Sequence, residues 1–391
     1  MLSQLFSGIA VLSFMVLLLI LLLRRLKQPY FIAYIIAGLL LGPQVFNVIY
    51  EPEVISELGQ IGIVLLMFSI GNEIDLHYLS HNFYKPLLIA LVQIVLSFIC
   101  MYIVGSYLEW KMATIILIAF IISLSSSAIV FQYLAKTGEI KSQLGIITCG
   151  VLLMQDILVV PMILTLNFMS GNNISAVELT KVCVGGLLII LFMKAAISKK
   201  LFSIPMRREI IADHELQVFI GFSICFGMAW ISEWFGLSPA FGAFIAGVLI
   251  GHDKATHWLG KSLIPFRVFF MAFFFLAVGV QLDIKFFIEN IGTIIWISVA
   301  VLFINSLINA ILFKLTKNSW RDSLYGGALL SQIGEFSFVL MTLASSLQLV
   351  GIYTYQITLA VTTLTMFLNT FWLMIIQELI YKLPDYKEKS F

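Results

Sequence analysis

Two carboxylates stand well inside apolar runs of this sequence, and no Lys or Arg stands at comparable depth. Asp156 lies near the middle of Gly145–Asn167, and Glu335 lies within 322–347. A carboxylate in hydrocarbon costs at least about 2.5 kcal/mol on insertion scales. It persists where it lines a water path, finds a partner, or carries an ion or proton. With no cationic companion, desolvation favours the neutral form of Asp156, which suits it to loading and releasing protons. A hard monovalent cation, K+ or Na+, prefers oxygen and would compete for the same group. Competition at one alternately exposed carboxylate suffices for one-for-one exchange with no net charge moved. Gln155, immediately before the acid, either offers a neutral oxygen beside it or packs as a helix amide. Thr148 and Asn167 are too far along the chain to help directly.

Polar residues interrupt two other runs at corresponding depths. Ser123, Ser125, Ser126 and Ser127 fall within 111–134, and Ser331, Gln332, Gly334, Glu335 and Ser337 fall within 322–347. Corresponding interruptions of this kind point to an ion site built from broken helices, where unwound backbone and half-helix ends present partial charges. Close helix packing through small residues accounts for serines, but not for Glu335, which reads as a second ligand or as a charge steadying the half-helix ends.

The elements that must carry these residues follow from composition. The chain of 391 residues is 61% hydrophobic and 11% charged, with a mean hydropathy of +1.04. That places it among polytopic all-α membrane proteins and leaves no room for a soluble domain. Thirteen spans are expected: 5–23, 30–49, 54–72, 85–107, 111–134, 143–166, 177–197, 215–235, 237–251, 264–282, 291–314, 322–347 and 353–381. Each is long enough to cross about 30 Å of hydrocarbon except the Gly-spaced 237–251. Pro161, about one turn after Asp156, is expected to kink its helix. With the amino terminus outside, all but Lys111, Lys181 and Lys285 of the 23 basic residues fall on the inner side, which places the carboxyl terminus in the cytoplasm. The first span lacks a basic flank before it and a small-residue cleavage pattern after it, so it reads as retained. The five histidines (His77, His81, His214, His252, His257) fall on the inner face and read as loop residues. Cys100, Cys149, Cys183 and Cys225 read as small apolar fillers.

The chain also repeats itself. AGLLLG at 37–42 returns as AGVLIG at 246–251, and SIGNEIDL at 69–76 returns as AVGVQLDI at 277–284. Ser123–Ser127 maps onto Ser331–Glu335 at nearly the same offset. Halves of about 1–166 and 215–381, joined by a connector helix at 177–197, then form one transmembrane domain. An odd connector inverts the second half. Inverted repeats rocking about a site at the bilayer midplane are a transporter architecture.

At LLMFSIGNEIDL (65–76), SLSSSAIVFQ (123–132), VLLMQDILVVP (151–161), GLSPAFGAFIAGVLIG (236–251), FFFLAVGVQLD (273–283) and SQIGEFSFVL (331–340), the chain resembles the monovalent cation:proton antiporter-2 (CPA2) family, in its Kef-type potassium/proton branch. The pieces are in the right order and cover nearly the whole membrane region. The resemblance implies a thirteen-span antiporter with crossed discontinuous helices, a homodimer in the plasma (inner) membrane, and elevator-like alternating access. A paired Asp-Asp at 155–156 marks electrogenic sodium exchangers in that family. Gln155-Asp156 looks like the electroneutral, potassium-preferring branch, so K+ is expected ahead of Na+. Kef systems proper continue into a nucleotide- and thiol-ligand-binding domain. Here a separate cytoplasmic regulatory subunit or a further C-terminal domain is the expectation. The inner loop 252–267, HDKATHWLGKSLIPFR, is basic where glutathione-gated members are acidic, which argues against gating by glutathione adducts.

Other classes fit less well. A gated potassium channel would want a filter-like Thr-Val-Gly-Tyr-Gly stretch. An organic-anion/sodium symporter would want positive half-helix ends around a roomier cavity, and the acids count against it. Nothing suggests an enzyme, a resident cofactor or a nucleic-acid partner; the expected partners are K+ or Na+, H+ and membrane lipid.

Overall fold

The structure, a computed structural model, describes residues 2–25, 30–48, 52–73, 84–140, 142–170, 180, 184–185, 213–236, 239–251 and 262–381. The connector 177–197 lies almost wholly outside these residues. So do His77, His81, His252, His257, Cys183 and most of the inner loop 252–267.

Among the described residues every regular element is a helix. In chain order these are α1 (Leu2–Arg25), α2 (Tyr30–Leu41), α3 (Pro52–Glu73), α4 (Tyr84–Tyr107), α5 (Met112–Ser123), α6 (Ser127–Thr137), α7 (Gln143–Met169), α8 (His214–Trp234), α9 (Pro239–Gly251), α10 (Ile264–Gln281), α11 (Ile284–Glu289), α12 (Ile291–Leu315), α13 (Trp320–Leu329), α14 (Phe336–Ser346) and α15 (Ile352–Tyr381). Seven described stretches are long and apolar enough to cross a membrane. Every expected span apart from 177–197 coincides with a helix or a pair of half-helices.

Local chemistry sets the ends. The Ser142 hydroxyl accepts from Gly145 N–H at the start of α7, and Asp213 and Ser319 cap α8 and α13 in the same way. Gly138, at φ 73°, closes α6 in the left-handed conformation that glycine adopts without strain. Two boundaries differ from the sequence expectation. The span at 30–49 is helical only to Leu41, because the residue before a proline disfavours helix and Gly42-Pro43 turns the chain, with Val48 N–H returning to Leu41 O. The segment taken as a loop before 291 holds the short helix α11, nucleated by Asp283 accepting from Phe286 N–H.

The chain forms two compact units, each drawing on both halves of the sequence: residues 1–81 with 173–281, and residues 82–172 with 282–391. In the first, α3 packs on α9 and α10, α2 on α10, and α8 on α9. Its centre is Val64, Leu65, Phe68, Cys225, Ala243, Ala246 and Leu263. The repeat offset reappears in its contacts. Gly38 lies against the Leu276 carbonyl and Gly279 against the Ile35 carbonyl, while Gly247 lies against Phe68 O and Gly71 against Phe244 O. A side chain at any of these places would meet backbone, so small residues set both helix pairs.

The second unit holds α4–α7 and α11–α15. It contains both interrupted segments and both intramembrane acids.

Candidate functional site

Both interruptions are real breaks in helices. Leu124 and Ser126 are extended, at φ −92°, ψ 122° and φ −74°, ψ 109°, so α5 and α6 are separate half-helices. The chain between α13 and α14 leaves helical geometry over 330–334. The two breaks lie against each other: Gly334 N–H donates to Leu124 O at 2.7 Å, and Ser125 Oγ donates to Leu330 O at 2.9 Å. A Cβ on Gly334 would stand 2.5 Å from Ser125 O, so only glycine permits this approach.

Broken helices leave N–H and C=O groups unpaired, and in hydrocarbon each must find a partner. The carbonyl side is met by amides of α12. Asn305 Nδ2 donates to Ile122 O at 2.9 Å and to Ser331 O at 3.1 Å, thereby touching both breaks. Asn309, one turn on, donates to Asn305 O and to Leu330 O. From α15, Asn369 accepts from Ser331 Oγ at 3.1 Å and Thr365 accepts from Ile333 N–H at 3.3 Å. The carbonyls of Ile122, Leu124, Leu330 and Ser331 are held by protein donors.

The N–H side is met by Glu335. Its Oε2 accepts from Ser126 Oγ at 2.7 Å, and its Oε1 receives a longer bond, 3.4 Å, from Ala128 N–H. A carboxylate at the start of α6 is favoured by the positive end of that helix. This accounts for an acid only 2% exposed and lacking a cationic partner among the described residues.

Asp156, on α7, has a different setting. Its Oδ2 accepts from Ser127 Oγ at 3.0 Å, and it is partly accessible rather than sealed. It lies close enough to Glu335 for the two to interact electrostatically. Gln155 faces the first break: its Oε1 accepts from Ser125 N–H at 3.0 Å and its Nε2 donates to Gln93 Oε1 of α4 at 2.8 Å. Its carbonyl oxygen is thus engaged by backbone.

The structure therefore brings Asp156, Gln155, Glu335, Ser125, Ser126 and Ser127 into one bonded cluster, with Gly334 at the crossing. Ser123 returns its hydroxyl to Phe120 O. Gln332 is fully buried in the second break, with neither side-chain polar atom bonded. Sequence reasoning passed over Gln93, Asn305, Asn309, Thr365 and Asn369. The signal is present as neutral amides and hydroxyls inside apolar spans, with Asn305 and Asn309 at helical spacing, though outside the two polar interruptions.

Comparison with known proteins agrees with the sequence resemblance. The transmembrane sodium/hydrogen exchanger family matches residues 11–378. An iron transporter, MagA, of Paramagnetospirillum magneticum is 30% identical over 90% of this chain and 81% of its own length. K(+) efflux antiporter 5 of Arabidopsis thaliana is 28% identical over 87% of this chain. The glutathione-regulated potassium-efflux system protein of Haemophilus influenzae is also 28% identical, over 84%. This chain spans 61% and 54% of the last two. The structure of the sodium proton antiporter MjNhaP1 of Methanocaldococcus jannaschii superposes with a TM-score of 0.65, covering 96% of this chain and 99% of that one at 14% identity, which establishes the shared fold. The all-helical fold, the pair of crossed broken helices and the family match lead to one assignment: this chain belongs to the sodium/hydrogen exchanger family of transmembrane cation/proton antiporters.

Proposed function

We propose that this antiporter exchanges K+ for H+ one for one, with both competing for Asp156 as the site is exposed alternately to the two sides of the membrane. The observation that carries this reading is the contrast between the two acids. Glu335 is sealed and committed to capping α6, whereas Asp156 is partly accessible and held by a single hydroxyl, which can rotate to accept or donate. Two neighbouring carboxylates without a basic partner favour a state in which a proton or a cation offsets their repulsion. One exchangeable charge then gives electroneutral turnover. In this reading Gln155 holds the first break in shape, Gln332 offers an unbonded buried amide in the second, and Ser123–Ser127 and Gly334 set the crossing around the ion.

The potassium assignment draws on the Gln155-Asp156 pair and on the names of the plant and Haemophilus relatives, a K(+) efflux antiporter and a glutathione-regulated potassium-efflux system protein. Na+ is the second reading, from the same family. An iron cargo, suggested by the name of the Paramagnetospirillum relative, would be expected to use softer or more numerous ligands. Among the described residues no group of three His, Cys, Asp or Glu could hold a metal ion. The proposal includes a homodimer in the plasma membrane with the amino terminus outside, regulated by a separate cytoplasmic subunit or a further C-terminal domain.

The test is reconstitution in vesicles with an interior pH dye, titrating K+, Na+, Rb+ and Li+ in turn. Asp156→Asn is expected to abolish cation-driven pH change in protein that remains folded and inserted. Normal exchange by that variant ends the proposal.

A further inference from the structure

The second unit carries a cavity of about 620 Å³ that takes no part in the ion site. Its walls come from α4, α5, α12 and α15, and its lining reaches Ile333 in the second break. The wall residues are overwhelmingly apolar, among them Val104, Ile118 and Ala300. Thr358 turns its hydroxyl back to Thr354 O at 2.8 Å, leaving the methyl as its apolar surface. At one end stand Trp110, Trp296 and Tyr353, with Trp296 73% and Tyr353 57% exposed.

The dimensions identify the occupant. The lining runs from Ser97 to Leu108 along α4 and from Thr293 to Ile304 along α12. At a rise of about 1.5 Å per residue either stretch is about 16 Å long, close to half of a hydrocarbon core about 30 Å thick. The groove is therefore one leaflet deep. Indole and phenol rings favour the headgroup level, and here they mark one end, while Ile333 lies at the other. In a chain of this family the medium beside exposed apolar helix faces is lipid.

We infer that this groove binds one acyl chain of a membrane phospholipid, headgroup beside Trp110, Trp296 and Tyr353 and chain end against Ile333. The lipid completes the wall behind the second break. Its neighbours Gln332 and Gly334 belong to the crossing, so an occupied groove buttresses the half-helices that must hold their shape while ions exchange.

Native mass spectrometry of the full chain, delipidated in mild detergent and given dioleoyl phosphatidylglycerol, tests this. Wild type and Leu307→Trp, a control exposed on α12 outside the groove, are expected to retain one phospholipid per chain. Ala300→Trp, which fills the groove midway, is expected to lose it. Should Ala300→Trp not run as a single folded species, Val104→Trp serves in its place. Equal retention by the groove-filling variant and the control overturns the inference. So does stoichiometric displacement by free oleic acid, or loss of a dimer with lipid retained, which would give the groove to a second copy of the chain.

Discussion

Ser126 and Glu335 stand 209 residues apart, occupy the N-cap positions of α6 and α14, and hydrogen-bond to each other at 2.7 Å. Each therefore stands at the head of the second half-helix of an interrupted span. The pair is also asymmetric. Serine caps its own helix through Ile129 N–H, while the glutamate side chain makes no bond within α14 and caps the partner half-helix instead. One acid thus serves the crossing, which in the proposed cycle leaves Asp156 to exchange.

Glu335→Ala should orphan Ser126 Oγ and Ala128 N–H in a buried site. Each lost partner costs about 1–3 kcal/mol, so thermal unfolding in detergent should fall by several degrees. Glu335→Gln, which keeps an acceptor, should recover most of that loss. If both variants unfold like wild type, the carboxylate does not hold the break.

Gln155 and Gln93 should behave as a coupled pair. Gln155→Leu leaves Ser125 N–H unpaired, while Gln93→Leu removes the amide that orients Gln155. A double-mutant cycle on stability should give a coupling of about 0.5–3 kcal/mol; additive effects would mean that the 2.8 Å contact carries no energy.

Asn305 donates to carbonyls of both breaks. Asn305→Leu should destabilise the protein by about 2 kcal/mol or more, since two buried carbonyls lose their donor. Asn305→Asp keeps the size, removes the donor and adds an acid, and should do no better. Full stability of either variant would show that other donors suffice.

Ser127→Ala removes the hydroxyl that holds Asp156. The half-saturating K+ concentration should rise about three- to tenfold, equivalent to about 1 kcal/mol, with the fold unchanged. In the proposed competition of cation and proton, that concentration should also rise as the pH falls in wild type. A pH-independent value would argue for separate sites.

The sequence by itself determined the membrane class, nearly every span, the paired interruptions and the identity of the two acids. These are one-dimensional consequences of hydropathy: about twenty apolar residues are needed to cross, and a charge among them is conspicuous. It also hinted at the repeat through constant offsets. What the tertiary structure alone decided is which partners each acid takes. Nothing in the order of residues says that Glu335 reaches across to α6, that Gln155 turns to Ser125, or that Asn305 of α12 serves both breaks. Those pairings come from the crossing of two segments some two hundred residues apart, where each exposed backbone group must find its donor or acceptor in three dimensions. A few neutral amides such as Asn305 do not stop a long apolar run from reading as a span, yet in a medium without water they satisfy the backbone that the helices leave bare.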